Sequence, residues 1–337
     1  SVVWKLQPQR ILKWQMVMNW ARLMGIEPKI AVVTGANSGL GYETAKGLAA
    51  EDYKVVMACR SLEKAETAAL EIKRSVQSAD LICMRLDLVD RNSVRAFAKA
   101  FNDNFDRLDL LVNNAGIVVP PYTITENNLE LQFDANHVGH FLLTSLLMPK
   151  LNQPHETRII SVSSLAAREG VADIYFDNLN FEGTYDEGPR IMGVGGVVAY
   201  AQSKLANLLF MQELKNRLDG KGMLIKPVAV HPGVANTGAT RNLPFLIRFL
   251  LSKFPLIMPV SSPQDGAQPS LFAALSPDLR AGDFIGPTKK KEQAGPPGTV
   301  PLPEKALDAA LLEQFWELSE ELIGEEFQIP ASKLSCP

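Results

Sequence analysis

Along the chain, short apolar runs rich in Val, Ile and Leu alternate with longer stretches of helical periodicity. The runs fall at 30–34, 54–59, 81–86, 108–112, 157–162 and 223–230, and the helical stretches at 39–51, 62–77, 91–106, 126–152 and 197–219. A continuously apolar strand is one buried on both faces. Strands of this kind separated by helices predict a doubly wound parallel sheet, covered by helices on both sides. Asp87 and Asn113 fall at the carboxyl ends of their runs, the edge where such sheets bind ligands. Pro227 lies within the sixth run and is read as marking the strand's start, since proline cannot donate to a ladder.

Both ends of the chain depart from this alternation. Up to Ile26 there are Lys5, Arg10, Lys13 and Arg22, three tryptophans (Trp4, Trp14, Trp20) and no acidic residue. Gln9 to Met24 lacks Gly and Pro and is apolar around most of a helical wheel, with Gln15, Asn19 and Arg22 as a narrow polar face. Two readings stand for it: a helix packed on its own domain, or a basic, Trp-bearing anchor on a membrane surface or partner protein. Glu27-Pro28 closes the segment. Beyond 287, Lys289-Lys290-Lys291 and the Pro and Gly through 303 predict a solvated linker or loop. An amphipathic helix over 304–323 follows, carrying Leu307, Leu311, Leu312, Phe315, Trp316 and Leu318. The expected organisation is a helical extension at 1–28, an α/β domain at 29–286, and a linker and helix at 287–337 packed on that domain.

Composition narrows the class. Hydrophobic residues at 46% and charged residues at 21% exclude wholesale disorder. A net charge of −3, from 34 basic and 37 acidic residues, lacks the basic footprint of a nucleic-acid binder. Three cysteines (Cys59, Cys83, Cys336) make no disulfide framework and read as reduced, intracellular thiols. No apolar run reaches the ~18 residues of a membrane span; the oiliest, Pro244 to Val260, is interrupted by Arg248, Lys253, Pro255 and Pro259. The N-terminus has no compact apolar core with a cleavage site, so no secretory signal is expected. The expected setting is intracellular, cytoplasmic or organellar, with peripheral membrane association through 1–26 left open.

The candidate chemistry begins where the first strand ends. Gly35, Gly39 and Gly41 lie on a strand-turn-helix path, where glycine lets the backbone approach a pyrophosphate at a helix N-terminus. An acidic residue about 20 positions on would hold a ribose 2′-hydroxyl. The second strand ends instead in Arg60, whose guanidinium suits a 2′-phosphate, so NADP(H) is expected over NAD(H). Tyr200 and Lys204 share a helix face at i, i+4 between the fifth and sixth strands. A free phenol titrates near ~10, and a neighbouring cation moves it toward the working range of a general base. Ser163-Ser164 end the fifth strand, and Asn113-Asn114-Ala115-Gly116 close the fourth, where small residues let a cofactor ring approach. Asn136 is a polar residue among Leu131, Phe133 and Phe141. His137 and His140 lack a third ligand, so helix packing or cofactor-side hydrogen bonding suits them better than a metal. Cys59 and Cys83 read as small core residues, and His231 as part of a turn.

These motifs, Thr34-Gly35-xxx-Gly39-x-Gly41, Asp87-Leu88, Asn113-Asn114-Ala115-Gly116, Asn136, Ser163-Ser164, Tyr200-xxx-Lys204 and His231-Pro232-Gly233, appear in order over about residues 29–286. Together they resemble the short-chain dehydrogenase/reductase family. Met57 to Ser61, Ser203 to Asn207, His231 to Val234 and Gly266-Ala267-Gln268 resemble its retinol-dehydrogenase-like and WW-domain-oxidoreductase-like branch. The resemblance implies a Rossmann-type α/β fold of about seven strands, with Tyr200 as general acid/base and Ser164, rather than Ser163, orienting the substrate oxygen. It implies that Lys204 depresses the tyrosine pKa and binds the nicotinamide ribose, and that Asn136 holds a water of a proton relay. Cofactor contacts are implied for Gly35, Asn37, Ser38, Gly39, Leu40, Gly41, Arg60, Asp87 (adenine), Leu88, Asn113 (adenosine side), Ala115 and Gly116. The set continues with Tyr200, Lys204, Pro232, Gly233, Val234 and Thr237, the last at the nicotinamide end. The chain departs from the family in an expanded stretch from Phe181 to Gly196 and in the segment 1–26.

Two functions follow as expectations. One is an NADP(H)-dependent oxidoreductase acting on a lipophilic carbonyl or alcohol of retinoid, steroid, fatty-aldehyde or isoprenoid type, with Leu243 to Val260 as a lid. The other is a nucleotide-binding accessory or sensor subunit of a larger, membrane-bound assembly. Homo-oligomerisation is left open.

Overall fold

Ile30 to Thr34 form β1, a five-residue strand with every side chain buried, as the central strand of a sheet covered on both faces must be. β2 (Lys54–Cys59), β3 (Asp80–Arg85), β4 (Leu110–Asn113), β5 (Thr157–Val162), β6 (Ile225–Val230), β7 (Phe284–Lys289) and β8 (Ala294–Thr299) complete the sheet. The computed structural model describes residues 27–168, 170–185, 194–234 and 261–333. The segment 1–26, Thr237, the lid expected at Leu243 to Val260, residues 186–193 of the expanded stretch, and Cys336 lie outside the described residues.

The strand order is β3-β2-β1-β4-β5-β6-β7-β8. All pairings are parallel except the last, β7 with β8. The order reverses between β1 and β4, which opens a crevice at their carboxyl ends. Side chains alternate between two cores along each strand. Val32, Val56, Leu111, Ile159 and Ala229 face one core, and Ala31, Val55, Leu110, Ile160 and Val228 face the other. The first core is closed by α3 (Arg91–Asn104), α4 (Gly139–Leu151), α5 (Val194–Leu218) and α7 (Ala309–Ile323). The second is closed by α1 (Gly39–Ala50), α2 (Leu62–Ser75) and α6 (Gln268–Leu275).

Three stretches differ from the sequence reading. Residues 287–303 contain no simple linker: β7 and β8 form an antiparallel hairpin that ends the sheet. Pro296 and Pro297 sit on its outer strand, where a missing donor costs nothing. Pro227 lies inside β6, paired with Ile159, rather than at its start. Its carbonyl faces the β7 side, accepting from Gly282 N–H at 2.8 Å. The β6–β7 ladder begins only at Ala229 with Phe284, so the imino nitrogen removes no ladder bond. The helix expected over 126–152 begins at Leu131, capped by Glu130, and passes through a π-helical turn at Asp134–Val138 before α4.

The C-terminal segment packs on the first core. His137 meets the Ser319 hydroxyl at 2.9 Å, Gln328 N–H donates to Ser145 Oγ at 2.8 Å, and Phe315, Trp316 and Phe327 are buried.

Candidate active site

The turn after β1 is built around its glycines. Gly35 (φ +66°) and Gly39 (φ +57°) occupy the left-handed region open to glycine. A Cβ on Gly41 would collide with the Gly35 carbonyl and the Asn114 amide. Ser38 begins α1 without a side-chain cap, and among the described residues no side chain accepts from the first-turn N–H groups, while Ser38 to Gly41 line a cavity. Thr34 Oγ1 accepts the N–H groups of Asn114 and Ala115, both at 2.9 Å, which locks the ends of β1 and β4 together. His140 is neutral, because burial lowers its pKa to about 4. Its Nδ1 donates to the Asn136 carbonyl at 3.0 Å. Nε2 therefore carries no proton and accepts the Thr34 hydroxyl at 2.9 Å.

The cavity, of about 690 Å³, runs across the carboxyl ends of β2, β1, β4, β5 and β6. Arg60, Gly35, Gly116, Ser164 and Pro232 mark the successive strand ends along it. A long cleft with a glycine-closed turn, an uncapped helix N-terminus and an exposed cation at one end fits an extended anionic dinucleotide.

At the inner end, the two serines separate. Ser163 is buried and its hydroxyl donates to the Lys204 carbonyl at 2.7 Å, so it fastens β5 to α5. Ser164 lines the cavity together with Tyr200, and its hydroxyl acts on the phenol's titration. Lys204 Nζ donates to the Val162 carbonyl at 2.9 Å and lies 5.8 Å from the Tyr200 ring centre. Burial pushes the Lys204 ammonium down to about 8. The Tyr200 phenol stands above its ordinary value, raised by burial and drawn partly back by the Ser164 side chain. The lowering expected from Lys204 is not among the influences on the phenol; Ser164 supplies the one lowering influence, and desolvation of the phenolate outweighs it. Asn136 is adjacent: a Cβ on Gly116 would lie 3.4 Å from both Asn136 Oδ1 and Lys204 Nζ. Its amide is engaged, with Oδ1 accepting Ile117 N–H at 2.7 Å and Nδ2 donating to the Ile117 carbonyl and Ser203 Oγ, each at 3.0 Å. The structure thus gives its side chain a loop-holding part.

At the outer end, Arg60, Asp87 and Leu88 line the cavity. Asp87 Oδ1 accepts Val89 N–H at 3.4 Å. Asn37, Ala115, Gly116, Pro232, Gly233 and Val234 also line it. Asn113 does not: its amide turns away and donates to Thr144 Oγ1 on α4 at 2.9 Å. Strand alternation carries the reason, since Asn113 faces the same side as Leu111, toward α4. Asn114 takes the cavity position, its Nδ2 donating to the Thr34 carbonyl at 2.7 Å. Cys59 also lines the cavity, and burial pushes its thiol up to about 11. Ile117, Val118, Leu131 and Leu165 form an apolar flank that no motif marks in the sequence. His231 does more than turn the chain. Its Nδ1 accepts Gly233 N–H at 3.3 Å, so Nε2 carries the proton to Glu292 at 3.1 Å.

A dinucleotide-sized cleft at the switch point of a doubly wound sheet, with a phenol, a hydroxyl and a buried ammonium converging beside it, defines a nucleotide-dependent oxidoreductase. Comparison with known proteins gives the family: residues 29–175 match the short chain dehydrogenase family. Mouse (Mus musculus) retinol dehydrogenase 11 is 42% identical over 253 residues, 75% of this chain and 75% of its own. Human retinol dehydrogenase 14 is 37% identical over 313 residues, 88% of this chain and 86% of its own. The crystal structure of an uncharacterised protein from Mycobacterium paratuberculosis is 35% identical, with a TM-score of 0.70 over 89% of this chain and 94% of that one. The chain belongs to the short-chain dehydrogenase family, in its retinol-dehydrogenase-like branch. No helix among the described residues is long and apolar enough to cross a membrane.

Proposed function

We propose that the chain is an NADP(H)-dependent oxidoreductase interconverting a lipophilic carbonyl and its alcohol, with Tyr200 as general acid and base. The observation that carries this reading is the convergence of Ser164, Tyr200 and buried Lys204 on one wall of the cavity. A nicotinamide bound there supplies the hydride in one direction and takes it in the other. Ser164 orients the substrate oxygen within reach of the phenol. The raised Tyr200 pKa keeps that phenol protonated at neutral pH, the form needed to give a proton to a developing alkoxide. A Lys204 titrating at about 8 remains largely charged at pH 7 and stabilises the phenolate left behind. The apolar flank of Ile117, Val118, Leu131 and Leu165 and the names of the relatives support a retinoid-like carbonyl. Such walls discriminate weakly among apolar shapes.

The test is a fluorescence titration with NADPH and with NADH, followed by a panel of lipophilic aldehydes and ketones. We expect tight NADPH binding and its oxidation by one carbonyl class. Tyr200→Phe should lower turnover by about 10²–10⁴-fold and retain NADPH affinity. Undiminished turnover in that variant would remove Tyr200 from the chemistry, and no turnover by the parent on any carbonyl would refute the reductase.

A further inference from the structure

Two amide side chains one helical turn apart hold alternate residues of the same loop. Asn136 engages both the N–H and the carbonyl of Ile117. Gln132 Oε1 accepts the N–H of Val119 at 2.8 Å. Each amide then reaches α5: Asn136 Nδ2 donates to Ser203 Oγ at 3.0 Å, and Gln132 Nε2 to the Gly196 carbonyl at 3.1 Å. The Asn136 rung adjoins the reactive set. The Gln132 rung lies further out, and nothing in the proton chemistry calls for it.

That outer rung holds a strained backbone. Val119 has φ +43°, in the left-handed region that a β-branched residue avoids. The orientation of the amide that holds it is forced. Gln132 Nε2 faces Glu130 Oε1 at 3.2 Å, the Gly196 carbonyl, and the Tyr185 hydroxyl at 3.3 Å. Exchanging its oxygen and nitrogen would set carbonyl against carboxylate and N–H against N–H. Glu130 is itself fixed, since its Oε2 accepts the backbone N–H groups of Gln132 and Phe133, both at 2.9 Å. The Tyr185 hydroxyl donates to the Pro120 carbonyl at 2.9 Å, and its ring packs on Tyr122 with centroids 4.7 Å apart.

One fully buried amide therefore joins three pieces: the loop 117–120, the turn at Tyr185, and the first turn of α5. Ile117 and Val118 line the cavity, and Tyr200 lies one helical turn beyond Gly196. A Cβ on Gly196 would press within 3.1 Å of both Val119 Cγ1 and the Tyr185 hydroxyl, so the pieces meet without slack.

We propose that Gln132 is a positioning residue that holds the substrate-side wall in shape and thereby sets which carbonyls the site accepts. The substrate half of this inference rests on the oxidoreductase reading; the positioning half does not. Gln132→Met keeps the length of the side chain and removes its hydrogen bonds. In the full chain we expect amide hydrogen exchange at Val119 and its neighbours to speed by at least about tenfold. KM for a bulky lipophilic aldehyde should rise by about tenfold with kcat little changed, while a short aldehyde and NADPH bind as in the parent. Should this variant not fold, Tyr185→Phe deletes one hydroxyl from the same node and should move both readouts in the same direction by less. Unchanged exchange at Val119 overturns the proposal whatever the activity. An exchange change with KM values unaltered for long and short aldehydes alike overturns its substrate half. A parent that oxidises no NADPH with any carbonyl defeats the oxidoreductase reading and the substrate half that rests on it, while exchange still decides the wall.

Discussion

Arg60 ends β2 at the outer limit of the cavity with its guanidinium exposed. Among the described residues no carboxylate pairs with it, and Asp87 across the cleft turns an oxygen back to its own loop. On the proposed NADP(H) reading, this guanidinium beside a dinucleotide-sized cleft would give a 2′-phosphate charge-assisted hydrogen bonds. Removing such bonds costs about 1.5–3 kcal/mol, roughly ten- to a hundredfold in affinity. Arg60→Ala should weaken NADPH by that factor and leave NADH nearly unaffected, as read by paired fluorescence titrations. Equal losses for both nucleotides would place Arg60 against the shared part of the cofactor and reopen the choice between them. The neighbouring pair Asn113-Asn114 shows what residue-level reading of the sequence can miss. Both amides sit at the ligand edge, and only the period-two alternation from Leu111 separates the one that faces α4 from the one that faces the cavity. Gln132 carries no sequence signal of this kind, because its partners come from three separate stretches of chain.

At the scale of elements, the parallel strands and their helices were legible because a strand buried on both faces reads as an unbroken apolar run. The β7–β8 hairpin was not, since Lys, Pro and Gly mark both a solvated linker and an edge strand protected against pairing. The π-helical turn at Asp134–Val138 leaves the hydrophobic pattern intact, so no periodicity betrays it. The candidate site residues Ser164, Tyr200 and Lys204 could be named from types and spacing, while the upward shift of the Tyr200 phenol could not, because desolvation depends on the packing around it. The last helix, α7, was legible through its apolar stripe. Trp316 on that stripe is buried against Phe141 and Phe327, with ring centroids at 5.0 and 4.8 Å. The Arg217 guanidinium covers the ring at 4.5 Å. Its indole N–H has no hydrogen-bond partner among the described residues, so truncation loses packing there. Trp316→Ala should cost about 3–5 kcal/mol in urea unfolding. A cost below about 1 kcal/mol, the range of surface substitutions, would show that α7 adds little to the stability of the core.

Across the whole molecule, three buried histidines join elements that are distant in sequence. His140 links α4 to the end of β1, His137 links the π turn to α7, and His231 links the end of β6 to the hairpin through Glu292. Burial lowers their pKa values to about 4, about 3 and about 4, with Lys204, Arg91 and Arg168 adding repulsion at the respective sites. An unfolded histidine titrates near ~6.5. Between that value and about 4 the unfolded chain binds more protons than the fold, so stability falls as pH falls through this window. Each neutral histidine then costs about 1.4 kcal/mol per pH unit, or about 2 kcal/mol between pH 6.5 and 5. Carboxylates contribute to the total with both signs, Glu130 being raised and Glu156 lowered, so the total slope does not isolate the histidines. A variant does. His137→Leu keeps an apolar side chain among Phe133, Phe141 and Phe315, and Ser319 still donates to the Phe315 carbonyl. The unfolding free energy of the parent should drop between pH 7 and 5 by about 2 kcal/mol more than that of His137→Leu. Parallel pH dependences in the two proteins would mean that His137 takes up its proton within the fold, and that the junction between the π turn and α7 yields to admit the charge.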